Sequence, residues 1–222
     1  MKYTYKNITI ERLGHDWFLI QYKDKYICID PFGIKKDFQV DYVCITHNHY
    51  DHCSIEDIEK IASNGAVIIC PPDVQSKILK LKNIEMQIVE AGDEISVGNF
   101  KIEAFPAYNI GKKYHPKADG FLGFLIKIKN LIVYHAGDTD KIPEMEKLTG
   151  YGKHGSQFVA LLPVSGEYVM DAYEAAEVAS ELNVDVAIPM HYGDIVGTVE
   201  DAKKFSQLCT EKNIPARVLE KI

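Results

Sequence analysis

Absences set the first limits on this chain. No apolar run reaches the roughly 20 residues that cross a bilayer, and Met1-Lys2-Tyr3-Thr4-Tyr5-Lys6-Asn7 lacks the apolar core of a secretion signal. The expected location is therefore cytoplasmic. Positive charge is in deficit: 25 Lys and Arg stand against 32 Asp and Glu, a formal net charge of -7. That balance leaves no electrostatic footprint for nucleic acid or an anionic membrane. Cys-x-x-Cys pairs are missing too, and the five cysteines (Cys28, Cys44, Cys53, Cys70, Cys209) are scattered. Cys28, Cys44 and Cys70 fall inside apolar strand-like runs and read as core thiols of a reducing compartment. Cys53 follows His52 directly but reads more readily as a core thiol than as a ligand. No Gly-x-Ser-x-Gly elbow supplies a serine nucleophile. There is no linker, low-complexity segment or short-period repeat, so the 222 residues are expected to form one domain.

Against this background stands Thr46-His47-Asn48-His49-Tyr50-Asp51-His52, which packs three imidazoles and a carboxylate into six consecutive residues. The apolar Tyr42-Val43-Cys44-Ile45 before it reads as a buried strand. Ser54-Ile55-Glu56-Asp57 after it reads as a helix start, with a capping serine and acidic first turn. A tight loop at a strand end lets neighbouring side chains converge on one point. Imidazole and carboxylate together suit Zn, Mn or Fe.

Residues 3–30 carry an antiparallel pattern, with a hairpin from Trp17–Tyr22 to Tyr26–Ile29 and a turn at Asp30-Pro31-Phe32-Gly33. His15 lies at a bend before the hairpin and reads as structural, while Asp30 is placed to orient a ligand imidazole. A polar stretch leads to the strand at 42–45. A helix over 54–63 stopped by Asn64-Gly65, a strand at 66–70 and a second helix from Pro71 to about Leu81 imply parallel pairing. Short strands follow at 86–90, 94–97, 100–107, 121–128 and 131–134, with Gly92-Asp93, Gly98-Asn99 and Lys129-Asn130 as hairpin turns. Tyr134-His135-Ala136-Gly137-Asp138 repeats the layout of strand, glycine turn and carboxylate. Strands at 160–164 and 184–189 then lead to Ser165-Gly166-Glu167 and to Met190-His191-Tyr192. A helix capped at Asp171, a final helix from about Thr198 to Cys209 and a strand at 216–219 complete the chain. Three strand ends thus offer His47, His49, Asp51 and His52, then Asp138, then His191.

His47-x-His49-x-Asp51-His52 after an apolar strand resembles the signature of the metallo-β-lactamase superfamily of metal-dependent hydrolases, and the similarity extends over nearly the whole chain. Leu13-Gly14-His15, Ile29-Asp30-Pro31, Tyr134–Thr139 and Ile188–Tyr192 are similar to a branch of small hydrolases near the ascorbate-6-phosphate lactonases. Phospholipases D acting on N-acylethanolamine lipids are a more distant likeness. The resemblance implies a four-layer αββα sandwich holding two divalent ions, zinc first, with manganese or iron as alternatives. It further implies that His47 and His49 hold one ion, that Asp51, His52 and His191 hold the other, and that Asp138 bridges them. The family pattern puts another His where this chain has Asn109, a poor ligand. His115, six residues on, is the expected substitute.

Such a centre would lower the pKa of a bound water and present hydroxide to a carbonyl or phosphoryl carbon or phosphorus. Asp51 would orient that hydroxide, and His135, Tyr192 or Tyr108 would protonate the leaving group. The expected substrate is a small-molecule ester, lactone or phosphoester. Lys112, Lys113 and Lys117 either meet an anionic group on it or form a solvated loop. Alternatives are a phosphodiesterase acting on a nucleotide or lipid head group, and a catalytically silent metal-binding scaffold. The superfamily's diiron redox proteins carry Glu where this chain has His49 and add a flavin domain.

Overall fold

The computed structural model describes residues 2–35, 38–153 and 155–221; Lys36 and Asp37 of the expected polar stretch lie outside them. Two compact units make up the chain: Met1–Glu90 with Leu219–Ile222, and Ala91–Val218.

The first unit is built on a seven-stranded sheet whose spatial order follows the sequence. Strands β1 (Tyr3–Tyr5), β2 (Ile8–Arg12), β3 (Phe18–Tyr22) and β4 (Lys25–Ile29) pair antiparallel, as their alternation predicts. Lys23, at φ 56°, turns the β3–β4 hairpin. Pairing becomes parallel at β5 (Val40–Cys44), β6 (Ala62–Cys70) and β7 (Ile84–Ile88). Parallel neighbours need a crossover, supplied between β5 and β6 by α1 (Ile55–Ile61), where the Ser54 hydroxyl accepts the Asp57 N–H. α1 buries Ile58 and Ile61 among Val43, Ile45, Ile68, Val74 and Ile78. Two boundaries differ from the sequence pattern. α1 ends at Ile61, and β6 already begins at Ala62, so Asn64-Gly65 lies inside the strand instead of stopping the helix. Gly65 at φ +81° and a register shift between Val40 and Tyr42 absorb the irregularity. The expected second helix is a 3-10 turn (Pro72–Val74) followed by the short α2 (Gln75–Ile78).

The second unit carries a six-stranded sheet in the order β13-β12-β11-β10-β9-β8. Strands β8 (Glu94–Val97), β9 (Phe100–Pro106), β10 (Leu122–Ile128) and β11 (Leu131–His135) form an antiparallel meander through Gly98-Asn99 and Lys129-Asn130. Gly92-Asp93 is not a hairpin turn, because β7 and β8 belong to different sheets. β12 (Gln157–Pro163) and β13 (Val186–Met190) then run parallel to β11. Helix α3 (Ala172–Glu181) starts at a capping box of Asp171 and Glu174, and α4 (Val199–Glu211) at one of Thr198 and Asp201. α3 packs on β12, and α4 on β13 and α3. The expected strand at 216–219 reduces to a single bridge between Ala187 and Ala216. Among the described residues no helix is long and apolar enough to cross a membrane.

Leu161 is fully buried in β12, between β11 and β13. Leu161→Ala is expected to lower stability by about 2–5 kcal/mol through lost burial and the cavity left behind. Urea denaturation reads this directly, and a loss under about 1 kcal/mol would show that the strand is not central to the core.

Candidate metal centre

In the first unit, one buried carboxylate organises the loop that leaves β5. Asp30, just past β4, accepts the Thr46 N–H at 2.8 Å and the Thr46 hydroxyl at 2.7 Å. It also accepts the His52 Nδ1–H at 2.8 Å, because a carboxylate in this pair can only accept. His52 therefore turns its Nε2 lone pair away from Asp30, the tautomer control that metal-binding imidazoles need. The Thr46 hydroxyl has given its proton to Asp30 and so accepts from His47 Nδ1 at 2.9 Å. His47 Nε2 and His49 Nδ1 then lie 2.9 Å apart. Asp73 accepts the Asn48 N–H at 3.1 Å, and Lys77 Nζ donates to the Asn48 carbonyl, which fixes the loop backbone. Asp51 Oδ2 lies 3.7 Å from His52 Nε2 with its side chain 13% exposed. Asp16 Oδ2 lies at the same 3.7 Å from that nitrogen and is fully buried. Nothing in the sequence set Asp16 apart, because a lone carboxylate in a Gly-His-Asp bend is an ordinary turn residue. Burial pushes the Cys53 thiol up to about 11, with Lys77 opposing, so it stays protonated at neutral pH.

In the second unit, Asp138 emerges after β11 and is flanked by two imidazoles. His115 Nε2 and His191 Nε2 each lie 3.3 Å from Asp138 Oδ2. Asn109 is a brace for this arrangement: its amide N–H groups donate to the Tyr168 carbonyl at 2.5 Å and the Tyr114 carbonyl at 3.0 Å. With both amide protons used, His115 Nδ1 donates to the Tyr168 carbonyl at 3.1 Å, and its Nε2 lone pair faces Asp138. Ser165 Oγ holds His191 Nδ1 at 2.7 Å. His135 is fully buried in β11, with Nδ1 accepting the Gly137 N–H at 3.3 Å. The Tyr108 hydroxyl donates to Glu144 at 2.7 Å, and burial together with that bond raises its pKa. Burial alone would raise Glu144, but hydrogen bonds from Lys117 and Tyr108 outweigh it and bring the carboxyl to about 2. Lys112 is bound to Asp140 at 2.6 Å and the Val169 carbonyl at 2.6 Å, and Lys117 to Glu144 at 2.6 Å. Two of the three loop lysines thus hold the loop together. Ser165 and the Tyr168 carbonyl were not legible in the sequence, since their role depends on which nitrogen they meet.

A family model described as a beta-lactamase superfamily domain matches residues 9–191. The chain belongs to the metallo-β-lactamase superfamily. Its two mixed sheets with flanking helices are this family's α/β fold, as the motif resemblance implied. A protein of Nanoarchaeum equitans named as a UPF0173 metal-dependent hydrolase is 35% identical over 218 residues, 96% of each chain. The crystal structure of a putative metal-dependent hydrolase from Parabacteroides distasonis is 28% identical, with a TM-score of 0.85 over 100% of this chain and 99% of that one. Igni18, a metallo hydrolase from Ignicoccus hospitalis, shares the fold at 24% identity and TM-score 0.77, over 96% of this chain and 95% of its own.

Gly197 shows how closely the backbone approaches Ser165 and His191. At φ +68°, a Cβ there would lie 2.7 Å from Ser165 Cβ and 2.9 Å from the His191 carbonyl. Gly197→Ala is expected to cost about 2 kcal/mol or more, from left-handed strain and overlap combined. Gly193→Ala, at φ +81° with open space around it, isolates the strain alone. Urea midpoints should rank Gly197→Ala clearly below Gly193→Ala; equal midpoints would show that the close approach carries no cost.

Proposed function

We propose that the chain is a single metal-dependent hydrolase domain with a binuclear centre. The supporting observation is electrostatic. His52 and His115 each commit the Nδ1 proton to an acceptor, Asp30 and the Tyr168 carbonyl, so each turns an Nε2 lone pair toward carboxylate oxygens. Lone pair facing carboxylate is repulsive unless a cation lies between them, and buried carboxylates are costly without one. Neutral imidazole and carboxylate are the donor set for Zn, Mn or Fe. The donors present therefore fit the ions that the family implies.

In this reading His47, His49, Asp51, His52, His115, Asp138 and His191 would hold the ions. Zinc is the first choice and manganese or iron the alternatives. Such ions supply Lewis acidity toward a carbonyl or phosphoryl oxygen and a water acidic enough to lose its proton near neutral pH. The chain's own residues do the rest. Asp51, with part of its side chain exposed, receives and holds the proton of the attacking water. His135 accepts at Nδ1 from Gly137 and so carries its proton on Nε2, from which it serves the leaving group. Tyr108 is set aside for that task, because Glu144 holds its proton. Asn109, Ser165 and Asp30 orient the imidazoles.

The substrate class is a small-molecule ester, lactone or phosphoester, taken up without nucleic-acid or membrane partners. The names of the relatives support metal-dependent hydrolysis as the reaction type, and the sequence holds no Gly-x-Ser-x-Gly elbow for a serine nucleophile. Turnover of aryl esters, lactones and aryl phosphodiesters, measured after chelation and after reconstitution with Zn or Mn, tests this reading. Activity should depend on added metal and fall at least about a hundredfold in Asp51→Ala. Phosphodiester turnover alone would favour the phosphodiesterase alternative. No turnover of any class in a metal-loaded protein would favour the scaffold.

A further inference from the structure

We propose that Asp16 is a carboxylate ligand of the ion held by His52, a role that rests on the metal-centre reading above and extends its ligand set. The case begins with position. Asp16 lies in the bend between β2 and β3, closed by the Leu13 N–H donating to the Trp17 carbonyl at 2.8 Å. A Cβ on Gly14 in this bend would meet Trp17 and the Phe32 carbonyl at ordinary contact distance. The carboxylate is thus held on rigid backbone, with a side chain of zero exposure.

Its geometry toward His52 is that of a coordination partner. The Asp16 Oδ2 to His52 Nε2 separation of 3.7 Å is too long for a hydrogen bond. Two ligands at about 2.0–2.2 Å from one ion are roughly 3–4 Å apart, which this separation meets. His52 cannot donate toward Asp16 while its proton is on Nδ1 and bound to Asp30 at 2.8 Å. The buried His15 Nε2 lies 3.8 Å from the same Asp16 oxygen.

Two carboxylates therefore flank His52 Nε2 at equal distance, and burial separates their roles. Asp16 is fully enclosed, whereas Asp51 has a side chain 13% exposed. An enclosed carboxylate binds an ion without competition from solvent, and a partly exposed one is free to exchange a proton with water. Asp16 takes the structural share of the coordination and leaves Asp51 available for the water. A further hard oxygen donor beside Asp51 and Asp138 makes manganese and iron better occupants of that site than they would be without it.

The direct test is a crystal of the wild-type protein soaked with Zn2+ and read by anomalous scattering. An ion at His52 within about 2.0–2.2 Å of an Asp16 oxygen supports the assignment. An ion at His52 more than 3 Å from Asp16 overturns it and leaves the metal-centre reading standing. No ion at His52 overturns both. In solution, chelator competition on Asp16→Asn should show one of two Zn2+ ions weakened at least about tenfold, the least expected even for residues that merely orient ligands. The other ion and the urea midpoint of the metal-free protein should be unchanged. A lowered metal-free midpoint with both affinities intact would mark Asp16 as purely structural.

Discussion

The Asp30 carboxylate is the fixed point on which the first half of the site depends. It is completely buried at the end of β4, and three donors converge on it: the Thr46 N–H, the Thr46 hydroxyl and His52 Nδ1. Those bonds propagate. Because Thr46 gives its hydroxyl proton to Asp30, it accepts from His47, and because His52 gives its Nδ1 proton to Asp30, it offers Nε2. One buried acceptor thus sets the tautomers of two histidines. The second unit reaches the same result with a carbonyl and a hydroxyl, Tyr168 O on His115 and Ser165 Oγ on His191.

Three of the nine non-glycine residues at positive φ among the described residues lie at these positions. Asp30 (φ 48°), His115 (φ 56°) and His191 (φ 58°) are all held in left-handed conformation, which a side chain other than glycine adopts only when its surroundings impose it. In each case the residue sits just past a strand or in a braced loop, where sheet hydrogen bonding supplies that constraint. The second unit adds a lattice of internal bonds: Lys112 joins Asp140 to the Val169 carbonyl, and Asn109 joins the Tyr114 and Tyr168 carbonyls. The candidate ligand atoms are therefore placed by rigid elements, with the loops tied down from behind.

Much of this was legible in the sequence for a definite reason. The His47–His52 segment, the Asp138 turn and the Asp171 capping box are local patterns, and local patterns survive in one dimension. The β3–β4 hairpin and the parallel β5–β7 run also followed from alternation and from the helix between strands. What escaped depends on three-dimensional pairing. Gly92-Asp93 has the composition of a hairpin turn, yet its flanking strands join different sheets. Asn64-Gly65 reads as a helix stop, yet it is absorbed in β6 as an irregularity. Asp16 looks like any bend residue, and only the distance to His52 gives it meaning. Asn109, a defect in the ligand pattern when read along the chain, has a clear task in space as the brace of the loop that carries His115.

Two bound ions per chain are the property on which the proposed function turns. Elemental analysis of metal bound per chain, on wild type and on His115→Ala purified alike and reconstituted with Zn or Mn, addresses it most directly. The account predicts two ions in the wild type and a fall toward one in the variant, with the fold retained. A wild type that binds no metal after reconstitution would contradict it.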